Sequence, residues 1–204
     1  MITLCMLVKD PPLDRLVALL EYVKPLIVQT VAVVDDRTDP RAFLAMSGWG
    51  IELVPFTWVD DFSAARNAAL PYAKGDWILH LDPDELPSAD MMTFLSMVDR
   101  SPWSDVEWQG STYPAPRGYL FFTRNFYDAK RGEEYEEHWH CRLFRTASGR
   151  WYKPVHEQVA LDDLPESRTR GTSLLPKAPR GACLIHSRMN DYRKDEQYAS
   201  LGAL

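Results

Sequence analysis

No apolar run in the sequence approaches the ~18–20 residues that a helix needs to cross a bilayer, so no segment reads as a membrane span. The N-terminal stretch MITLCMLVKDPP has neither a basic region nor a small-residue cleavage site, which argues against a secretory signal. Cysteine is scarce. Cys5, Cys141 and Cys183 are far apart and form no CxxC pair. That excludes a disulfide framework and a standard zinc knuckle, and it points to free thiols in a reducing, cytoplasmic setting. No internal repeat is visible. The first hundred residues are short of positive charge: they hold 8 Lys+Arg against 15 Asp+Glu, a net of −7 in a chain whose total is −6. Such a half is a poor nonspecific ligand for nucleic acid. Its acid clusters are better matched to a bound cation.

What is present suits a globular enzyme. A chain of 204 residues that is 46% hydrophobic can bury one sizeable core, so a single domain is expected. Residues 2–8 read as a buried strand, and Leu13, Leu16, Val17, Leu20 and Val23 follow at a helical period. Residues 30–36 read as a second strand ending in acids. A short helix follows Pro40 and stops near Gly48 and Gly50. Residues 51–58 read as a third strand, in which Pro55 argues for an edge. DFSAARNAALPYA (61–73) is helical, with Asp60, Asp61 or Ser63 as candidate caps. A fourth strand and a helix over 89–98 complete a βαβ alternation, the pattern of a mainly parallel sheet flanked by helices.

After residue 100 the period is lost. The aromatic and proline-rich stretch 101–118 reads as a loop, and the aromatic segment Trp103–Tyr119 is a candidate lid over a ligand. Residues 118–127 and 138–145 read as strands, 154–160 is ambiguous, and 165–181 reads as a flexible connection. A final strand over 181–187 and a terminal helix close the chain. Residues 1–100 are therefore expected to form the ligand-binding half of the domain. Residues 101–204 are expected to form the half that meets a second substrate.

The most informative stretch is GDWILHLDPDE (75–85), where an apolar strand ends in Asp82, Asp84 and Glu85. In parallel α/β sheets ligands bind beyond the carboxyl ends of the strands. Asp35 and Asp36 after strand two and Asp82 and Asp84 after strand four share that edge. Unpaired, such acids repel one another. Mn²⁺ or Mg²⁺ removes the repulsion, and these cations accept a few carboxylates together with substrate phosphates. An acid-lined helix N-terminus is the competing structural reading.

DFSAARNAALPYAKGDWILHLDPDE resembles the signature of family-2 glycosyltransferases of the GT-A fold: an Arg-Asn helix, A-x-G, an apolar strand, then Asp-x-Asp. LCMLVKDPP, VVDDRTDP and CRLFRTASGRWYKPVHEQV resemble further blocks of the family more loosely. The resemblance implies a Rossmann-like GT-A domain and metal-dependent, inverting transfer from a nucleotide-sugar, first among them a UDP-sugar. It implies that Asp82 and Asp84 hold the cation. Asp35 or Asp36 would face the base or ribose, and Val8, Lys9 and Asp10 would border the nucleoside. Arg66 would approach the phosphates or brace the Asp-x-Asp turn. His186, late in the chain, is the candidate third metal ligand. Glu157 in VHE is the leading general base, ahead of Glu85 and Glu137. The family's Lys-Asn-Glu after strand one is replaced here by KDPP, and the Ser of its second block by Arg37-Thr38-Asp39.

Three alternatives share parts of this pattern. A phosphatase built on Asp-x-Asp wants a Thr soon after it, whereas Leu86-Pro87 follows here. A nucleotidyltransferase wants a Gly- and Lys/Arg-rich loop after strand one. A non-catalytic module of the same fold would bind donor without turnover. The acceptor stays open: saccharide, peptide, small molecule or modified nucleic acid. His138 and His140, two apart on one strand, permit zinc only weakly. The arginines of the second half are compatible with an anionic acceptor, with donor phosphates or with internal ion pairs.

Overall fold

A computed structural model describes residues 1–100, 106–108, 110–113, 117–128, 133–147, 149–161 and 175–187. In chain order it contains β1 (Ile2–Val8), α1 (Leu13–Val23), β2 (Ile27–Asp35), α2 (Pro40–Ser47), β3 (Glu52–Phe56) and α3 (Phe62–Ala68), then a 3-10 turn at Leu70–Tyr72. There follow β4 (Trp77–His80), β5 (Glu85–Pro87), α4 (Ala89–Arg100), β6 (Val106–Trp108), β7 (Ser111–Tyr113), β8 (Gly118–Asp128), β9 (Glu133–Arg145), β10 (Gly149–Tyr152), β11 (Gln158–Leu161) and β12 (Cys183–Ser187). No described helix is long and apolar enough to cross a membrane.

Eight strands form one mixed sheet in the order β3-β2-β1-β4-β9-β8-β12-β5. β1 pairs in parallel with β2 and β4, and β2 with β3. β9 runs antiparallel to both β4 and β8. β12 then lies parallel to β8 and antiparallel to β5. The expected single α/β domain with a mixed, mainly parallel sheet is thus observed. Pro55 sits on β3, the sheet edge, where its missing N–H breaks no ladder on the open side.

The sequence dictates this arrangement through burial. β1 is covered on both faces, so it carries apolar residues without alternation. On one face α1 inserts Leu16, Leu19 and Val23, and α4 inserts Met91, Phe94, Leu95 and Val98. Phe94 meets Tyr119 edge-on at 5.2 Å and Phe121 at 6.0 Å. The other face packs Cys5, Val31, Val33, Ile78, Phe144 and Trp151. All three cysteines are free and buried, as their spacing implied. Asp61 caps α3, its carboxylate accepting from Ala64 N at 3.0 Å. The glycine of A-x-G, Gly75, packs against β1. A Cβ there would stand 2.7 Å from Thr3 N and 2.8 Å from Met1 O.

Several details differ from the sequence reading, among them the unexpected strand β10 and the start of β9 at Glu133 rather than 138. The stretch expected as loop contains the β6–β7 hairpin, whose register Trp108↔Ser111 leaves a two-residue turn with Gly110 at φ 76°. Strands of three residues are too short to show a period. β5 was likewise not anticipated. It exists because β12 passes beside Glu85–Pro87 and supplies a partner. The expected terminal helix, residues 162–174 of the flexible connection and the rest of the candidate lid lie outside the described residues.

Candidate active site

Two adjoining cavities open at the carboxyl edge of the sheet. The first, about 510 Å³, is lined by Val8 and Lys9 at the end of β1, Asp35 at the end of β2, Trp58 beyond β3, Asp82 and Asp84 after β4, and His186 on β12. The second, about 440 Å³, is lined by residues of β9 and of the β10–β11 hairpin, among them Trp139, His140, Trp151, His156 and Glu157. Phe62, Arg66 and Asp82 line both.

Most of the residues selected from sequence come together here. Val8, Lys9, Asp35, Arg66, Asp82, Asp84 and His186 lie on the first wall and Glu157 on the second; Asp10 and Asp36 lie on neither. Asp10 adopts φ 43° and accepts from Asp39 N at 2.7 Å, which ties the end of β1 to the cap of α2. Asp35 accepts from Arg37 Nε at 2.8 Å, Arg37 Nη2 at 2.6 Å and Arg37 N at 2.9 Å. These bonds hold its carboxyl well below the usual range.

At the junction two buried arginines organise the acids. Arg66, on α3, is 8% exposed. Its Nε donates to Glu157 Oε1 at 2.7 Å, and its Nη2 lies 2.6 Å from the same oxygen in an ion pair. Its Nη1 donates to the His80 ring and stands 3.4 Å from Asp82 Oδ1. Arg142, on β9, donates to Glu85 Oε1 and places Nη1 3.8 Å from Asp82 Oδ2. Glu85 Oε2 in turn accepts from Asp82 N at 3.0 Å, closing the Asp-Pro-Asp turn. Burial works to raise the Asp82 pKa, but Arg66 and Arg142 outweigh it, and the carboxyl is held ionised. Burial also raises Glu85, to about 7, against the pull of Arg142. His80 is almost fully enclosed. Burial first and Arg66 second hold its pKa well below the ordinary imidazole value, so the ring is neutral and accepts from Arg66.

Asp84 projects from the turn with its side chain 43% exposed, and its Oδ2 lies 3.0 Å from His186 Nε2. A carboxylate and an imidazole facing one cavity form an oxygen–nitrogen donor set suited to Mn²⁺. Asp82 reaches its arginines only at 3.4 and 3.8 Å, distances that leave lone pairs for a cation. Among the described residues no group of three His, Cys, Asp or Glu has metal-holding geometry. A cation at Asp82 and Asp84 would need further ligands from outside these side chains.

The hairpin carrying Glu157 is outside the main sheet and is held by α3. Phe62 N donates to Pro154 O at 3.0 Å. Asn67 bonds Trp151 in both directions, Nδ2 to O and N to Oδ1, each at 2.8 Å. The Arg-Asn pair is thus a docking element: Asn67 clips the backbone of β10 while Arg66 clips Glu157. His156 precedes Glu157 at φ 54°, a left-handed conformation uncommon for a residue with a side chain. Glu85 is committed to Arg142, and the side chain of Glu137 lies outside the described residues. His138 and His140 lie side by side, centroids 5.8 Å apart and ring planes inclined by 60°, without a third ligand among the described residues.

His80 and the particular task of Arg142 were not singled out from sequence. A histidine inside an otherwise apolar strand was the available signal for the first. Arg142 was one of several arginines with nothing local to distinguish it.

A model of the family described as "Glycosyl transferase family 2" matches residues 13–148. A TPR repeat-containing protein of Synechococcus elongatus is 40% identical over 84 residues, a match covering 41% of this chain and 20% of that protein. Among solved structures, S. aureus TarS 1-349 superposes with a TM-score of 0.45 at 13% identity, over 72% of this chain and 47% of that one. Glucosyl-3-phosphoglycerate synthase from Mycobacterium tuberculosis, in complex with Mn²⁺, UDP and glucosyl-3-phosphoglycerate, gives 0.40 at 14% identity, over 64% and 45%. This chain thus spans less than half the length of each of these relatives. The family model takes in more than half of the chain, including α3, the A-x-G turn, the Asp-Pro-Asp turn and Arg142; the chain belongs to glycosyl transferase family 2.

Proposed function

We propose that the chain transfers a sugar from a nucleoside-diphosphate sugar, a UDP-sugar first among them, to an acceptor hydroxyl, with Mn²⁺ or Mg²⁺ and with inversion. One observation carries this reading. A single buried guanidinium, that of Arg66, joins Glu157 on one cavity to Asp82 on the other, at the place where the two cavities meet.

The roles follow from position. Val8, Lys9 and Asp35 flank the nucleoside, while Asp10 and Asp36 act from the loops behind them. Asp82 and Asp84 would hold the cation together with the diphosphate and water, while His186, expected as a third ligand, stands 3.0 Å from Asp84 Oδ2 and would orient that carboxylate. When bound, it would act as a Lewis acid that offsets charge on the departing diphosphate. Glu157 is the base. Its Oε1 is engaged by the Arg66 guanidinium, so Oε2 is the oxygen that receives the proton. The acceptor oxygen forms its bond to the anomeric carbon as the bond from that carbon to the diphosphate oxygen breaks. The nucleoside diphosphate leaves with the electron pair. Arg66 fixes Glu157 in direction, and Arg142 braces the Asp-Pro-Asp turn through Glu85.

Thermal denaturation with UDP and other nucleoside diphosphates, each with Mn²⁺, Mg²⁺ or EDTA, tests this. A ligand at ~100 times its Kd adds roughly 2.7 kcal/mol of stability. The expected result is a metal-dependent rise with one nucleotide, lost in Asp82→Asn and Asp84→Asn. A protein that melts cooperatively and responds to no nucleotide overturns the proposal.

A further inference from the structure

We infer that the acceptor is an uncharged, hydroxyl-bearing ring, of the class of a neutral saccharide, seated in the 440 Å³ cavity between β9 and the β10–β11 hairpin. The inference rests on the proposed transfer reaction and names its second substrate.

The sequence, rich in arginine after residue 100, left an anionic acceptor open. The structure shows where two of those charges go. Arg142 is spent on Glu85 and faces Asp82, and Arg66, the other arginine of the cavity wall, is spent on Glu157. The remaining described polar lining is His140, His156 and Gln158, beside Cys141. Arg142 adds to desolvation in keeping His140 below the ordinary imidazole range, so its ring is neutral near pH 7. Two lysines lie close by, but neither is on the wall. Lys153 sits over the Tyr152 ring and donates to Gln158 Oε1, and Lys177 sits over the Trp139 ring. An anion placed here would meet the carboxylate of Glu157 without an uncommitted cation on the described wall to offset it.

The same lining suits a polyol. Phe62, which lines both cavities, is 41% exposed, and Trp139, which lines this one, is half-buried with Lys177 over one side of its ring. An exposed ring such as Phe62 packs against the C–H surface of a sugar, and Trp139 adds apolar wall. Imidazole nitrogens and the Gln158 amide can donate to or accept from neutral hydroxyls. A cavity of this size is in the range that encloses a small ligand.

The test uses the whole chain with Mn²⁺ and UDP and, as probes, uncharged methyl glycosides of glucose, galactose and N-acetylglucosamine. The matched anions are glucose 1-phosphate and glucuronate. Binding is read by ligand-observed NMR and repeated from about 50 to about 500 mM salt, a range that shortens the screening length severalfold. The expected result is saturable binding of at least one neutral glycoside, about tenfold tighter than either anion and changing less than about twofold with salt. Trp139→Ala should weaken that binding about tenfold while the Mn²⁺–UDP thermal shift persists. Tighter binding of an anion that salt weakens overturns the inference. So does a retained Mn²⁺–UDP shift with no glycoside bound. A missing Mn²⁺–UDP shift is instead the failure of the donor assignment on which the inference rests.

Discussion

Arg66→Met keeps the side chain's apolar stem and removes only its guanidinium. Glu157 Oε1 then loses a 2.7 Å hydrogen bond from Nε and a 2.6 Å ion-pair contact with Nη2, on a side chain that is 15% exposed. His80 loses its donor, and Asp82 loses one of two neighbouring cations. Removing one partner of a buried ion pair costs about 3–5 kcal/mol. Asp82 is 33% exposed and keeps Arg142, so its share is small. The expected loss is therefore at the lower bound, about 3 kcal/mol, measured by urea denaturation with linear extrapolation. Glu157→Gln supplies the second arm of a double-mutant cycle. In the pair of substitutions the acid is already neutral, so the two costs should fail to add by about 1.5–3 kcal/mol. A loss below about 1 kcal/mol for Arg66→Met, or additivity within about 0.5 kcal/mol, would refute the claim that this guanidinium holds Glu157 in place.

His80 gives a pH dependence of definite sign. Its folded pKa lies below its unfolded value of about 6.5, so below that pH the unfolded chain binds the extra proton. The His80 contribution should be full above about pH 6.5 and fall on acidification by up to ~1.4 kcal/mol per unit, while Glu85, raised to about 7, contributes the opposite slope. His80→Gln, which keeps an acceptor for Arg66, should flatten that slope in unfolding experiments between about pH 5 and 7; an unchanged slope would place the titration elsewhere. Asn67→Ala removes both bonds to the Trp151 backbone and should cost about 1–3 kcal/mol. Proteolysis within residues 149–161 should rise in that variant, and no change in cleavage there would mean α3 is not what holds the hairpin. Gly75→Ala drives a methyl onto backbone atoms of β1, which cannot swing aside, and should lower stability by about 1–3 kcal/mol; a neutral effect by thermal denaturation would contradict the packing.

Much of the fold was legible because its signals are local. The period of α1 and α4, the unbroken apolar run of β1 and the cap at Asp61 each lie within a few residues. The hairpin β6–β7 and the strand β5 were not legible. Three residues carry no period, and β5 is a strand only because β12, about a hundred residues later, arrives beside it. The site divides in the same way. Asp82 and Asp84 stand out as like charge at the end of an apolar strand. Arg142 stands out only once β9 has aligned beside β4. His80 reads as an anomaly in sequence and as an acceptor for Arg66 in space.

A mainly parallel sheet presenting acids at its carboxyl edge is encoded locally, because strand burial, capping and Asp-Pro-Asp are written in consecutive residues. Which charges meet depends on the folded chain. Arg66 and Glu157 are 91 positions apart, and Arg142 and Glu85 are 57 apart. Such pairs form when long-range strand order and the docking of the hairpin on α3 bring them together. Their buried setting, not their neighbours in the chain, fixes which acids stay ionised and which arginines are spent.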